Sequence, residues 1–242
     1  MVKIAFIGGY SLTSLLDNPE EEAIYKCECG SVVVLKGEIE DKKVYVVPRH
    51  GKNHEFPPHK VPVKEMFLFL HKEGVKDVIT VHSVGIINEK WKIPCITIID
   101  DFIDFTGKIE TIYECFKEKP VHVEMHAPYY APYQELLEKI FSKYLAVYRG
   151  IYAQTLGPRL ETRAEIRALR ILGADMVGMT HARECVIANE LGMRIASIGM
   201  GVNYACGINR TNPTTEEIIA KSHELSQKVA EVLKEFILSL NV

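Results

Sequence analysis

Residues 157–205 read GPRLETRAEIRALRILGADMVGMTHARECVIANELGMRIASIGMGVNYA, and the order of signals within them decides the fold. Thr162-x-x-Glu165 is a capping box, in which hydroxyl and carboxylate each satisfy a free backbone N–H at a helix start. The helix it opens ends at Leu172-Gly173, where glycine supplies the left-handed closing turn. Asp175–Met179 follows as a short strand and Ala182–Leu191 as a second helix stopped by Gly192. Arg194–Gly199 is a further strand leading into Asn203. Strands separated by single helices argue a sheet covered by helices on both faces.

Towards the N-terminus the pattern continues. Lys3–Ile7 is a short apolar strand running into Gly8-Gly9, a turn that lets backbone N–H groups approach an anion. Tyr10, Ser11 and Thr13 add hydroxyls behind it. Ser31–Lys36 and Val44–Pro48 are β-branched strands joined by a charged turn from Glu38 to Lys43, which makes the sheet mixed rather than purely parallel. Val63–Lys72 is amphipathic at helical spacing and stops at Gly74. Asp77–Val81 is a strand ending in the small-residue turn His82–Gly85, and Cys95–Ile99 is a strand whose end carries Asp100, Asp101 and Asp104. Residues 107–130 form a long irregular connection, of the kind that covers sites. Helix Tyr133–Tyr144 and strand Ala146–Ala153 lead back to the opening stretch. Thr214-x-x-Glu217 caps a final helix with Ile218, Leu225, Val229, Val232, Phe236 and Leu240 on its apolar stripe. The fold class is α/β, three-layer, with a mixed central sheet flanked by helices.

Composition sets the outer bounds. A chain of 242 residues, 47% hydrophobic and undivided by any low-complexity linker, reads as one domain, 1–242. A net charge of -3 supplies no basic face for nucleic acid or an anionic membrane. No run of about 18 apolar residues reads as a membrane span. MVKIAFIGGY lacks the apolar core and cleavage site of a signal peptide, so a cytoplasmic location is expected. The six cysteines, including the pair Cys27 and Cys29 in a loop, read as structural thiols; none forms the CxxC pairs of a zinc ribbon.

Several groups carry chemistry. Arg49 offers a planar fork that fits phosphate oxygens, His50 adds a donor, and Gly51 lets the loop come close. The alternative is a solvated loop with three histidines. No metal is expected, because Pro57 and Pro58 break any regular ligand face across His54 and His59. The three aspartates read as capping and turn residues rather than a cation site or an acid–base pair. Glu161 stands just outside a helix N-terminus, where the helix dipole alone accounts for a carboxylate; gripping a ligand is the alternative. Asn203 is either an ordinary turn residue or a polar hook at the sheet rim, where ligands of α/β sheets sit.

In this order the pieces resemble the trimeric branch of the purine nucleoside phosphorylase and methylthioadenosine phosphorylase family, over nearly the whole chain. KIAFIGG resembles its opening strand and phosphate turn, and VPRHGKNHEFPPHKVP its RHG-x-x-H-x-x-x-P-x-x-V signature. DDFIDFT is similar to its DQFIDRT loop, and GPRLETRAEIRALRILGADMVGMT to its GPxFET…GADxVGMS run. The resemblance implies phosphate-dependent cleavage of the purine–ribose bond, no cofactor, inorganic phosphate as co-substrate, and a homotrimer or dimer of trimers. It places phosphate on Arg49, His50, Ser83 and Thr180, with Ser11 assisting and His82 in the same turn. Met179 lies against the ribose, Leu160, Glu161 and Asn203 hold the base, and the 5′ pocket forms near Thr214 and Thr215. Catalysis falls to Asn203, Glu161 and His50. Glu124, Met125 and His126 are candidates for a neighbouring subunit's pocket.

Two departures stand out. Tyr10 takes a position the family gives to Ser or Thr, so Ser11 is expected to make that contact. His82 replaces a small or amide residue. Adenine-specific members carry Asp at the Asn203 position and again two residues on, where this chain has Ala205. A 6-oxopurine is therefore expected, and a methylthioinosine phosphorylase that also accepts inosine and guanosine reconciles that with a methylthioadenosine-like overall pattern. The alternatives are a methylthioadenosine phosphorylase, a hydrolytic nucleosidase, and a non-catalytic nucleoside-binding protein.

Overall fold

Nine strands and five helices account for most of the chain in a computed structural model that describes residues 2–108, 110–117, 119–209 and 214–240. The strands are β1 (Lys3–Gly8), β2 (Glu20–Cys27), β3 (Gly30–Ile39), β4 (Lys42–Pro48), β5 (Asp77–Ile86), β6 (Cys95–Asp104), β7 (Ala146–Gln154), β8 (Met176–Gly178) and β9 (Arg194–Tyr204). The helices are α1 (Val63–Lys72), α2 (Ala131–Phe141), α3 (Arg163–Ile171), α4 (His181–Glu190) and α5 (Thr215–Ser239). Both expected capping boxes are made, at Thr162 with Glu165 and at Thr214 with Glu217.

The sheet runs β2-β3-β4-β1-β5-β8-β7-β6-β9, and β9 returns to pair with β5. That last pairing closes β5, β8, β7, β6 and β9 into a ring, so the mixed sheet is open on one side and a small barrel on the other. β5 belongs to both halves: Asp77–Thr80 lie beside β1, while Gly85 and Ile86 pair with Val177 and Met176 of β8. Closure needs glycine. A Cβ at Gly201 would lie 2.5 Å from the Cys95 sulfur and 2.9 Å from the Ile86 side chain, a separation no side chain tolerates.

Helices cover both faces, as the alternation of elements implies. α2 and α5 pack on one apolar layer with Phe6, Ile79, Ile98 and Phe236 at its centre. α1 and α4 cover the other, around Ile7, Val47, Phe67 and Ile187. Among the described residues, no helix is long and apolar enough to cross a membrane.

Four sequence expectations change. β2 has no counterpart in the reading, because its EEEAIYKC lies at the open edge with little apolar alternation to betray it; Cys27 ends that strand and Cys29 sits in the following turn. His82–Gly85 is no turn but the second half of β5. Asp100–Asp104 continues β6 past a bulge between Ile99 and Asp101. Asn203 lies inside β9, opposite Gly85. Each of these three strands runs on past the polar residues or glycines that interrupt its apolar run, because the ring gives it a partner there.

Candidate active site

The ends of β1 and β4 meet the middle of β5 at Arg49. Its backbone N–H donates to the Gly8 carbonyl at 3.0 Å, and the side chain turns inward, only 3% of the residue remaining exposed. The guanidinium does not present an open fork. Nε and Nη2 donate to the two carboxylate oxygens of Glu184 at 2.6 and 3.0 Å. Nη1 donates to the Val81 carbonyl at 2.6 Å and Nη2 to that of Ile7 at 3.1 Å. A guanidinium carries five N–H bonds, so a single Nη1 hydrogen is uncommitted. Arg49 thus brings positive charge and rigidity to the strand ends, and the expected free bidentate grip is corrected to that extent. Glu184 is fully buried on α4. Burial raises its carboxyl above the ordinary range and the adjacent guanidinium opposes the shift. Removing either partner strands a buried charge, a loss of about 3–5 kcal/mol.

His50 also differs from the expectation of a donor. Its Nδ1 lies 2.7 Å from the Phe56 carbonyl, and its ring stacks on His54 at 4.4 Å. A carbonyl only accepts, so Nδ1 carries the hydrogen and Nε2 is left as an acceptor. Burial, with the Arg49 charge second, pushes its pKa down to about 3, which keeps the ring neutral. Towards a ligand, His50 Nε2 can therefore accept a hydrogen bond but not donate one.

His82 and Ser83 part company. Successive residues of a strand face opposite sides, and while the Ser83 position is exposed, His82 is 1% exposed. His82 Nδ1 lies 2.9 Å from Thr180 Oγ1 and its Nε2 lies 2.9 Å from Thr80 Oγ1, so both ring nitrogens are taken up by hydroxyls of the protein. Thr180 immediately precedes α4, where its hydroxyl makes no helix cap and its N–H donates to Tyr152 Oη at 3.3 Å. Ser11 lies in a 3-10 turn over Tyr10–Leu15. With Tyr10, Lys52 and His223 it lines an open cavity of about 370 Å³.

The second group gathers at the end of the ring. Glu161 is 8% exposed and accepts a hydrogen bond from Thr155 Oγ1 at 2.5 Å. Thr155 in turn ties the ends of β7 and β8 through its N–H to the Gly178 carbonyl at 2.9 Å. Asn203 Nδ2 donates to the Tyr204 carbonyl at 2.9 Å. Ala205 is 4% exposed, its N–H held by the Ile86 carbonyl at 2.8 Å and its methyl among Val177, Ala153 and Ile166. The stretch after β9 is fastened to the start of α3. A Cβ at Gly207, whose φ is +81°, would stand 2.9 Å from Arg163 Cγ. Burial first and the Glu161 charge second push the Cys206 thiol up. Glu161 and residues 203–207 therefore share one end of the ring. Met179 is held from outside by the Gly157 turn, where a Cβ would meet its sulfur. Leu160 is 47% exposed, and the Thr215 side chain lies outside the described residues.

Sequence reasoning missed the partners. Glu184, Thr155, Thr80 and Ser197 fix Arg49, Glu161 and His82, yet only Glu184 carries a signal. It is an acid one residue before the apolar run Cys185–Ala188, on a helix that must bury that face.

A family model described as phosphorylase superfamily matches residues 3–238. The chain belongs to that superfamily. Its relatives include a Methanopyrus kandleri protein named probable S-methyl-5′-thioinosine phosphorylase, 36% identical over 98% of this chain and 92% of that one. A Pyrococcus furiosus 6-oxopurine nucleoside phosphorylase is 35% identical over 99% and 92% of the two chains. An S-methyl-5′-thioadenosine phosphorylase of Pyrococcus horikoshii is 38% identical over 98% and 92%. Among solved structures, a methylthioadenosine phosphorylase from Schistosoma mansoni in complex with adenine superposes with a TM-score of 0.89 at 22% identity, covering 100% of this chain and 93% of that one. That likeness shows the superfamily fold. Membership makes the chain an enzyme of the pentosyltransferase class, as its motifs led one to expect.

Proposed function

We propose that the chain cleaves the N-glycosidic bond of 6-oxopurine nucleosides with inorganic phosphate, releasing the base and a ribose 1-phosphate. Methylthioinosine is the foremost substrate, with inosine and guanosine accepted. One observation carries this reading: the buried Glu161 carboxylate shares one end of the ring with the end of β9 and the residues after it, and neither Asn203 nor Ala205 there is an acid. A 6-oxopurine bears a hydrogen on N1, which an ionised carboxylate accepts. Adenine bears a lone pair there, which the same carboxylate repels. As the bond breaks, negative charge gathers on the imidazole half of the base, and an Asn203 N–H aimed at N7 stabilises it more in the transition state than in the ground state. Without an acid at 203 or 205 nothing supplies a proton to N7, which adenine needs more than a keto purine does.

On the opposite side of the sugar, Arg49 lends its charge to the strand ends while Thr180, Ser11 and Ser83 bind the anion. The bare Nε2 of His50 accepts a hydrogen from protonated phosphate or a ribose hydroxyl. Assembly as a homotrimer or dimer of trimers belongs to the same proposal, and a solution mass from light scattering decides it.

The test is to follow free base from inosine, methylthioinosine and methylthioadenosine, each with and without phosphate. Release from both inosines only with phosphate, at a kcat/KM at least about tenfold above methylthioadenosine, is expected. Preference for methylthioadenosine would overturn the specificity and favour the second reading, which the 38% identical thioadenosine relative supports. Asn203→Asp should move the preference towards 6-aminopurines; an unchanged ratio would remove Asn203 from its assigned role.

A further inference from the structure

Behind Thr180 runs an unbroken chain of hydrogen bonds. Thr180 Oγ1 meets His82 Nδ1 at 2.9 Å, His82 Nε2 meets Thr80 Oγ1 at 2.9 Å, and Thr80 Oγ1 meets Ser197 Oγ at 2.7 Å. Thr80 and Ser197 have no exposure, His82 has 1% and Thr180 has 7%. Water therefore has little access to break the order of the chain. Burial, with the Arg49 charge second, holds the His82 imidazole well below the ordinary histidine range, so the ring is neutral. A neutral imidazole donates from one nitrogen and accepts at the other, and the direction of the whole chain follows from which one holds the hydrogen.

With the hydrogen on Nε2, the ring donates to Thr80 and Nδ1 takes the Thr180 hydroxyl hydrogen. Thr180 then shows an anion only lone pairs. With the hydrogen on Nδ1, the ring donates to Thr180 Oγ1 and the Thr180 hydrogen is free to point outward. Thr80 donates to Nε2 and accepts from Ser197, so every hydrogen runs towards Thr180. Glu184 Oε2 lies 3.7 Å from Nε2 and favours the first arrangement. An anion against Thr180 favours the second.

We propose that His82 is a positioning residue whose tautomer sets the direction of the Thr180 hydroxyl, and that binding of inorganic phosphate switches it from the Nε2–H to the Nδ1–H form. This rests on the reading of Thr180 as a phosphate contact given above.

Nitrogen NMR of protein labelled with ¹⁵N-histidine reads the tautomer directly, with the His82 signals identified by their loss in His82→Gln. Adding phosphate should move Nδ1 from the range of a bare ring nitrogen to that of a protonated one, with Nε2 moving the opposite way. A ring that stays Nε2–H at saturating phosphate, or carries both hydrogens, would overturn the proposal. Thr80→Val cuts the chain behind the ring without touching Thr180. It removes the one hydrogen-bond donor to a bare Nε2 among the described residues, while the Nε2–H form keeps the attraction of Glu184. The KM for phosphate should rise about fivefold, with kcat and the nucleoside KM within about twofold; an unchanged phosphate KM counts against the proposal. Should the variant fail to fold, the wild-type spectrum still decides. A protein that releases base without phosphate, or not at all, sinks the functional reading itself. Phosphate-dependent release without a tautomer switch sinks the His82 proposal alone.

Discussion

In the proposed site Glu161 accepts from the Thr155 hydroxyl through one oxygen at 2.5 Å, which leaves its second oxygen to accept from a ligand. Replacing it with Gln keeps shape but turns half the group into a donor facing the N1 hydrogen of a keto purine. The kcat/KM for inosine should fall about a hundredfold, the loss expected for a hydrogen bond to a charged partner. Steady-state kinetics check this, and a loss below about threefold would place the base elsewhere. Single residues were the most legible scale where a motif fixes the backbone. Glu161 was singled out from the capping box one residue on, and Arg49 from the RHG run. Their partners were not, since Arg49 and Glu184 lie 135 positions apart and no local pattern encodes that meeting. Nor does sequence reveal a tautomer: His50 looks like a donor until the Phe56 carbonyl is seen to take its hydrogen.

Among the elements, helices were read closely and strands too short. α1 spans Val63–Lys72 as its spacing predicts, because 3.6-residue periodicity and a closing glycine are both local. β5, β6 and β9 were cut where polar residues or glycines interrupt the apolar run, although ring pairing carries each further. The cut turned Asn203 and His82 into turn residues and hid which faces they occupy. α3 is where element and site depend on each other. Thr162 accepts from the Glu165 N–H at 3.2 Å while Glu165 reaches back to the Thr162 N–H at 2.7 Å. Thr162→Ala should cost about 1 kcal/mol of stability, read from denaturant midpoints at constant slope. Because Glu161 precedes the cap directly, the KM for nucleoside should rise as well. A stability loss with unchanged KM would show that the carboxylate is held by Thr155 alone.

For the whole molecule, pH is the lever. Burial drives the imidazoles of both His50 and His181 down to about 3, whereas an unfolded histidine titrates near 6.5. Between those values the unfolded chain binds protons that the native chain refuses, so stability is complete above about pH 6.5 and falls as pH drops towards about 3. The slope is about 1.4 kcal/mol per pH unit for each histidine. His82 acts in the same direction, while the raised Glu184 carboxyl opposes it. Melting temperatures should hold between about pH 7.5 and 6.5 and fall below that, and His181→Gln should make the fall shallower. A flat profile down to about pH 5 would mean these rings are protonated in the native protein.

The open side of the sheet ends on β2, whose Glu20, Glu21 and Glu22 are all exposed along the outermost strand. A second copy adding in parallel register would set Glu20 and Glu21 against their counterparts, Glu22 being already paired with Lys36 at 2.6 Å. The barrel side offers no terminus at which a tenth strand could add. Growth by lateral stacking is thus blocked twice, once by geometry and once by repulsion, and contact between copies of this chain is left to the helical flanks and loops.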